Sequence, residues 1–256
     1  MTSRDFTEYS LVYGNRPFEP TLEHFRRRRI GEKLAPEFLQ VAPHVLDVGI
    51  GREAVSRHLP FPVSSLTLVE PMSWALDRDE EKYGAGDGTE VRFCGVFDDF
   101  VKAVAPTTKF DLVIFSSLLH EMTLSESERA ISSSADLLSK HGLVVAVVPN
   151  RNSLHRVLGV HMGIQESLDT MTEAEVRINQ QTGYSVSSLN QSFETRGFRT
   201  HFSETFFLKL SSHAQMEKFI ASGSLSQQAL ETLYLLSEVL PEHGAEVLGI
   251  YKPISG

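Results

Sequence analysis

Short continuous apolar runs at 45–48, 66–69, 91–94, 111–116 and 143–148 punctuate the first two thirds of the chain at strand length. Helical spacing fills the gaps between them, as between 111–116 and 143–148, where Ser125-x-x-Glu128 reads as a capping box opening a helix that stops near Gly142. Continuous rather than alternating apolar strands, separated by helices, predict a parallel sheet covered on both faces. Right-handed crossovers then bring the carboxyl ends of those strands to one rim. Beyond Pro149 the pattern changes. Residues 150–184 are polar and rich in His, Asn and Met, with Thr172-x-x-Glu175 as a further helix start, and they read as a substrate-binding insertion or lid. Ser185 next caps a helix carrying Leu189 and Phe193 and ending at Gly197, while 200–208 alternates as a strand does. Helices at 212–222 and 225–240 and a last strand at 246–251 complete the order. Ahead of the first strand, 1–44 reads as a helical lid segment, and 45–256 as one domain containing the insertion. Leu22, Phe25 and Ile30 mark a helix in that leading segment whose arginines at 26–29 point around its axis, as a solvated face paired with nearby acids would, recognition of an acidic substrate or partner being the alternative.

Composition narrows the classes. At 256 residues, 41% hydrophobic and 22% charged, the chain can bury a substantial core in one elaborated α/β domain. A formal net charge of −9 speaks against a dedicated nucleic-acid binder. Cys94 is the sole cysteine, which excludes an intrachain disulfide and a cysteine-rich metal site. No apolar run approaches the roughly 20 residues of a membrane span, and Arg4, Asp5 and Glu8 stand where a signal peptide needs an apolar core. The expectation is a cytoplasmic protein with no membrane partner.

The chemistry concentrates in VLDVGIGREAVSRHL, residues 45–59: a buried strand, a glycine turn and the start of a helix. Gly49 and Gly51 let the backbone turn sharply and let a ligand approach. Asp47 sits at the strand's carboxyl end, where open α/β sheets bind ligands. Glu70 ends the next apolar run about 21 residues after Gly49, the distance at which a second-strand carboxylate meets a ribose. The unit is nucleoside-binding, and its glycines alone do not exclude a dinucleotide. A carboxylate at Asp47 suits an ammonium and repels a pyrophosphate.

Asp47-x-Gly49-x-Gly51 resembles the first motif of the class I S-adenosylmethionine-dependent methyltransferases, with Glu53 where that family usually has a third glycine. The resemblance extends over roughly residues 40–252 and implies a Rossmann-like, seven-stranded, mostly parallel sheet with an antiparallel last strand. Glu70-Pro71-Met72 is similar to the family's second motif, which implies that Glu70 receives the ribose hydroxyls and Pro71 and Met72 flank adenine. CGVFDDF, residues 94–100, resembles its adenine-edge segment and implies contacts from Phe97 and Asp98, partly through backbone; acids near a helix N-terminus are the equal alternative. FDLVIFSSLLHEM, residues 110–122, resembles its fourth motif, which places Ser116 beside the transferred methyl group. Its His120-Glu121 stands in the reverse of the family's common order, and either can touch substrate. Val148 to Arg156 is similar to the segment after the fifth strand in bacterial enzymes acting on sugars and natural products. That implies Asn150 as an acceptor ligand and His155 as general base, with His120 second; Asn150 can equally cap the helix that follows.

The reading is therefore a methyltransferase acting on an oxygen, less readily a nitrogen, of a small polar acceptor such as a sugar or natural-product intermediate. S-adenosyl-L-methionine is its cofactor and S-adenosyl-L-homocysteine its product. Tyr9 and Tyr13 can close over the site or pack in the core. No metal is implied, since no ligand spacing such as H-E-x-x-H occurs. A homodimer is compatible with this reading. A catalytically silent partner subunit of the same fold and a nicotinamide-dependent oxidoreductase are the alternatives.

Overall fold

The computed structural model describes residues 18–85, 88–172, 175–176 and 180–254. The strands are β1 (His44–Val48), β2 (Ser65–Glu70), β3 (Glu90–Cys94), β4 (Phe110–Ser116), β5 (Leu138–Pro149), β6 (Phe198–Phe206) and β7 (Glu246–Pro253). They form one sheet in the order β3-β2-β1-β4-β5-β7-β6. β1 to β5 pair in parallel, and β7 runs antiparallel to both β5 and β6. The helices are α1 (Glu19–Leu34), α2 (Ser73–Tyr83), α3 (Phe97–Ala103), α4 (Leu124–Leu137), α5 (Leu154–His161), α6 (Val186–Glu194), α7 (His213–Ala221) and α8 (Gln227–Leu236).

Two apolar layers follow from the period-2 alternation along each strand. Leu112 and Ile114 of β4 face α1, α2, α7 and α8, while Val113 and Phe115 face α3, α4 and α6. The strand order reverses between β1 and β4, so their carboxyl ends open a crevice between neighbouring crossovers.

The expected strands and late helices are all present, with instructive differences. The helix expected after the glycine turn is a single 3-10 turn, Val55–His58. The cap of α4 is Thr123 rather than Ser125: Glu126 N donates to its Oγ1, and Thr123 N donates to the Glu126 carboxylate. Ser125 lies inside the first turn, and Glu128 pairs with Arg196 instead. Gly142 does not stop the helix, because α4 passes directly into β5 at Leu137–Leu138. Gly142 sits at a register shift, where a Cβ would come within 2.9 Å of the Phe110 carbonyl oxygen, so only glycine lets the strands close.

The leading helix is part of the body. Phe25, Ile30 and Leu34 are fully buried, and Phe25 stacks on Tyr234 of α8 at 5.1 Å. Its arginines are only in part the solvated face expected: Arg28 is exposed and pairs with Glu32 and Glu231, but Arg26 is 4% and Arg29 6% exposed. Arg26 Nε lies 3.0 Å from both carboxylate oxygens of Glu246 at the start of β7, and its Nη2 is 3.2 Å from Glu19. Arg29 grips Glu204 of β6 with two nitrogens. Burial holds the Glu246 carboxyl above its ordinary value while Arg26 opposes the rise.

Removing Arg26 would leave Glu246 buried without its guanidinium. Arg26→Ala is expected to lower the unfolding free energy by about 3–5 kcal/mol, measured by urea denaturation at neutral pH. Adding Glu246→Gln should recover part of that loss.

Candidate cofactor and acceptor site

Asp47 is held in β1 between Leu68 of β2 and Ile114 of β4, and none of it reaches solvent. Its Oδ2 accepts the Ser56 N–H at 2.8 Å, whereas Oδ1 has no hydrogen-bond partner. Burial pushes its pKa up to about 6, against the pull of the Ser56 donor. The 3-10 turn that replaces the expected helix supplies that donor.

The glycines turn as their type allows, Gly49 at φ 74° and Gly51 at φ 56°, both in the left-handed region. A Cβ on Gly49 would meet the Leu118 side chain at 3.1 Å. Leu118 reaches that position because Ser117 also turns left-handed, at φ 57°, with its N–H donated to the Val147 carbonyl at 2.8 Å. Such a conformation is costly for a serine and is held here by the strand ends around it.

Glu70 closes β2 with its carboxylate turned under the glycine loop. Its Oε2 accepts from Gly51 N at 3.1 Å and its Oε1 from Met72 N at 3.0 Å. Burial raises it to about 7, while the backbone donors from Met72 and Gly51 pull the other way. Pro71 and the buried Met72 lead into α2.

A narrow cleft of about 20 Å³ lies over this rim. Asp47, Gly49 and Ser116 form its floor, Glu23, Arg26 and Arg27 of α1 its roof, and Glu53 one wall. A buried carboxylate oxygen with no partner beneath left-handed glycines fits a ligand ammonium. The Glu70 carboxylate, holding backbone donors from Met72, Gly51 and Ile50, keeps a lone pair for a hydroxyl donor. The residues present therefore suit an amino-acid-bearing nucleoside.

Other expected contacts fall differently. Phe97 is 4% exposed and meets Phe115 edge-on at 5.3 Å, so its ring belongs to the core under β4. Asp98 turns to Arg129 of α4 at 3.4 Å. Neither side chain faces the cleft floor, which leaves the backbone before α3 for any adenine contact.

On the acceptor side, His120 and Glu121 occupy a buried 3-10 turn, Leu119–Glu121, directly after β4. His120 Nε2 lies 3.9 Å from Glu121 Oε1. The His120 carbonyl accepts from Gln181 N at 2.8 Å and Thr182 N at 3.1 Å, which ties the end of the insertion to the β4 rim. Asn150 donates both amide hydrogens, to the Glu242 and Gly244 carbonyls, and its Oδ1 accepts Asn152 N. It thus locks the loop before β7 and shapes the start of the insertion. His155 is half-buried in α5 with Nδ1 3.0 Å from Ser153 Oγ. Burial, then Lys209, His213 and Arg156, hold its pKa well below the usual histidine range, so it is neutral at pH 7. Tyr9 and Tyr13 lie outside the described residues.

Sequence reasoning missed the roof of α1 and the place of Glu53. The sequence signal for both was charge: on the leading helix, EPTLEHFRRRRIGEKL, and at a glycine position of the motif. Among the described residues, no group of three His, Cys, Asp or Glu side chains is placed to hold a metal ion, and no helix is long and apolar enough to cross a membrane.

The comparisons with known proteins agree with this fold. Residues 22–201 match a family model described as a methyltransferase domain. The plantazolicin methyltransferase BamL, solved with a triazolic desmethylPZN analogue and SAH, superposes at a TM-score of 0.59 with 18% identity, covering 97% of this chain and 91% of its own. The N-methyltransferase NodS from Bradyrhizobium japonicum WM9, in complex with S-adenosyl-L-homocysteine, gives 0.53 and 12%, covering 90% and 88%. A SAM-dependent methyltransferase from Archaeoglobus fulgidus gives 0.52 and 16%, covering 90% and 96%. At these identities the likeness is one of fold. No curated protein sequence matches the chain.

The raised carboxyls give a pH test. Folding disfavours their ionisation, a penalty absent below about pH 4 that grows as the pH rises toward about 7. An ammonium beside Asp47 reverses that preference, since it favours the charged form. Affinity for S-adenosylhomocysteine is expected to rise about tenfold between about pH 5 and about pH 7 and then level off. Calorimetric titration across this range checks it, and Asp47→Asn should bind weakly and lose most of the rise, keeping only the part that Glu70 contributes.

Proposed function

Since the chain belongs to the class I S-adenosylmethionine-dependent methyltransferases, we propose that it methylates an oxygen of a small polar acceptor, such as a sugar or a natural-product intermediate. The carrying observation is Asp47: a buried carboxylate with one unpartnered oxygen, under left-handed glycines, at the switch point of the sheet. When bound, S-adenosylmethionine supplies an already activated sulfonium methyl group.

The protein's part is then alignment. Asp47 holds the amino-acid end and Glu70 the ribose hydroxyls, so the cofactor is gripped on both sides of the reacting centre. Ser116 and the strained Ser117 form the edge over which the acceptor approaches. His155, neutral at working pH, takes the proton of an acceptor hydroxyl, with His120 as the second choice. The insertion at 150–184, stitched to the β4 rim through His120, bounds the acceptor side and keeps water from it.

An amine acceptor is the second reading. The buried Glu121 carboxylate beside His120 suits a cationic acceptor, and the fold neighbour NodS is named an N-methyltransferase.

Calorimetric titration of wild type and Asp47→Ala with S-adenosylmethionine, S-adenosylhomocysteine and NAD(H) tests the cofactor assignment. Micromolar binding of the adenosyl ligands, lost in the mutant, is expected; binding of NAD(H) alone would overturn the reading. An acceptor screen on hydroxylated and amino metabolites, following S-adenosylhomocysteine release, then separates the two acceptor classes. With a hydroxyl acceptor, His155→Ala is expected to lower kcat by about 10²–10⁴-fold.

A further inference from the structure

Glu53 stands where the family usually has a glycine, and its surroundings give it a use. Its carboxylate takes Lys82 and Tyr83 of α2, His58 Nε2 at 3.2 Å and Arg27 Nη1 of α1 at 3.2 Å. Burial alone would raise its pKa, but these donors press it down to about 2. Arg27 also reaches the Glu53 carbonyl at 3.4 Å and the Glu23 carboxylate at 3.3 Å. Glu53 and Arg27 are 16% and 15% exposed, above a floor whose Asp47 is sealed from solvent. They are the outer side of the cleft.

The glycine loop is therefore held twice, by Glu70 from beneath and by Glu53 from outside. The cleft lies over the Asp47 end and does not extend across Glu70 and Met72. At about 20 Å³ it holds no more than a water, far below the roughly 300–1,000 Å³ of ligand sites. A cofactor spanning Asp47 and Glu70 needs the loop to yield. Of the two holds, the Glu53–Arg27 contact is the one that opens at low cost. When it parts, Glu53 keeps Lys82, Tyr83 and His58, and Arg27 keeps Glu23, so neither charge is stranded.

Resting on the cofactor assignment above, we infer that Glu53 is a positioning residue: its ion pair with Arg27 clasps α1 to the glycine loop and parts to admit or release the adenosyl cofactor. The clasp sets the rates of exchange more than the affinity, because it re-forms once the ligand is seated.

Stopped-flow fluorescence of Trp74, the sole tryptophan, at the start of α2, with S-adenosylhomocysteine as ligand, tests this. Glu53→Gln and Arg27→Gln are each expected to raise both association and dissociation rates about tenfold, with Kd by calorimetry changed by less than about threefold. The double variant should go no further than either single one, since both remove the same pair. In wild type, raising the salt from about 0.02 M to about 0.5 M should speed association, by less than either variant does, since a pair 15–16% exposed is screened only in part. This arm needs no mutation and covers the case in which a variant fails to fold. Rates within twofold of wild type in the variants, or a weakened Kd with unchanged association, would overturn the clasp and leave Glu53 a plain wall of the site. Failure of wild type to bind S-adenosylhomocysteine at any salt would instead overturn the cofactor assignment and the clasp with it.

Discussion

The site depends on keeping a carboxylate out of water. Asp47 has one oxygen satisfied by the Ser56 N–H and the other facing the cleft floor without a partner. Leaving a polar group in that state costs free energy, and a buried carboxyl answers by holding its proton more tightly. The surrounding sheet supplies the rigidity to keep it there, with β2 on one side and β4 on the other. On the proposed function, a ligand ammonium at Asp47 would remove that cost, and affinity would be drawn from an unfavourable arrangement built into the fold.

The rest of the rim is arranged so that this arrangement does not collapse. Glu70 is satisfied by backbone donors from the loop and from the start of α2, which fixes the loop above Asp47. Leu118, delivered by a left-handed serine, fills the space that a side chain on Gly49 would occupy. Charge is balanced from the other direction by α1, whose Arg26 ties to β7 and whose Arg27 ties to the loop. One helix thus serves as structural pillar on its Arg26 and Arg29 side and as cleft roof on its Glu23 and Arg27 side.

Much of this was legible beforehand, because local pattern and burial agree along the strands. The runs of β1, β2 and β4 are continuous and apolar since both sheet faces are covered, and their terminal Asp47, Glu70 and Ser116 stand out for that reason. Phe97 and Asp98 left two readings open because an aromatic residue beside a strand end looks the same whether it meets a ligand or Phe115. The caps misled at Ser125 because Thr123, Ser125, Glu126 and Glu128 offer overlapping boxes, and only the path of the chain selects Thr123. Arg26 and Arg29 misled because no local rule says that Glu246 and Glu204, about two hundred residues away, will be buried against them.

By itself, then, the sequence determined what is set by short-range sterics and periodicity. It determined the strands, the left-handed turn at Gly49 and Gly51, and the carboxylates at the ends of β1 and β2. The tertiary structure alone decided which charges are buried and with whom. The energy of an ion pair depends on desolvation and on partners brought together from distant segments. That is why Arg26 became a pillar, and why Glu53, a departure from a glycine motif on paper, became the residue at which α1, α2 and the glycine loop meet.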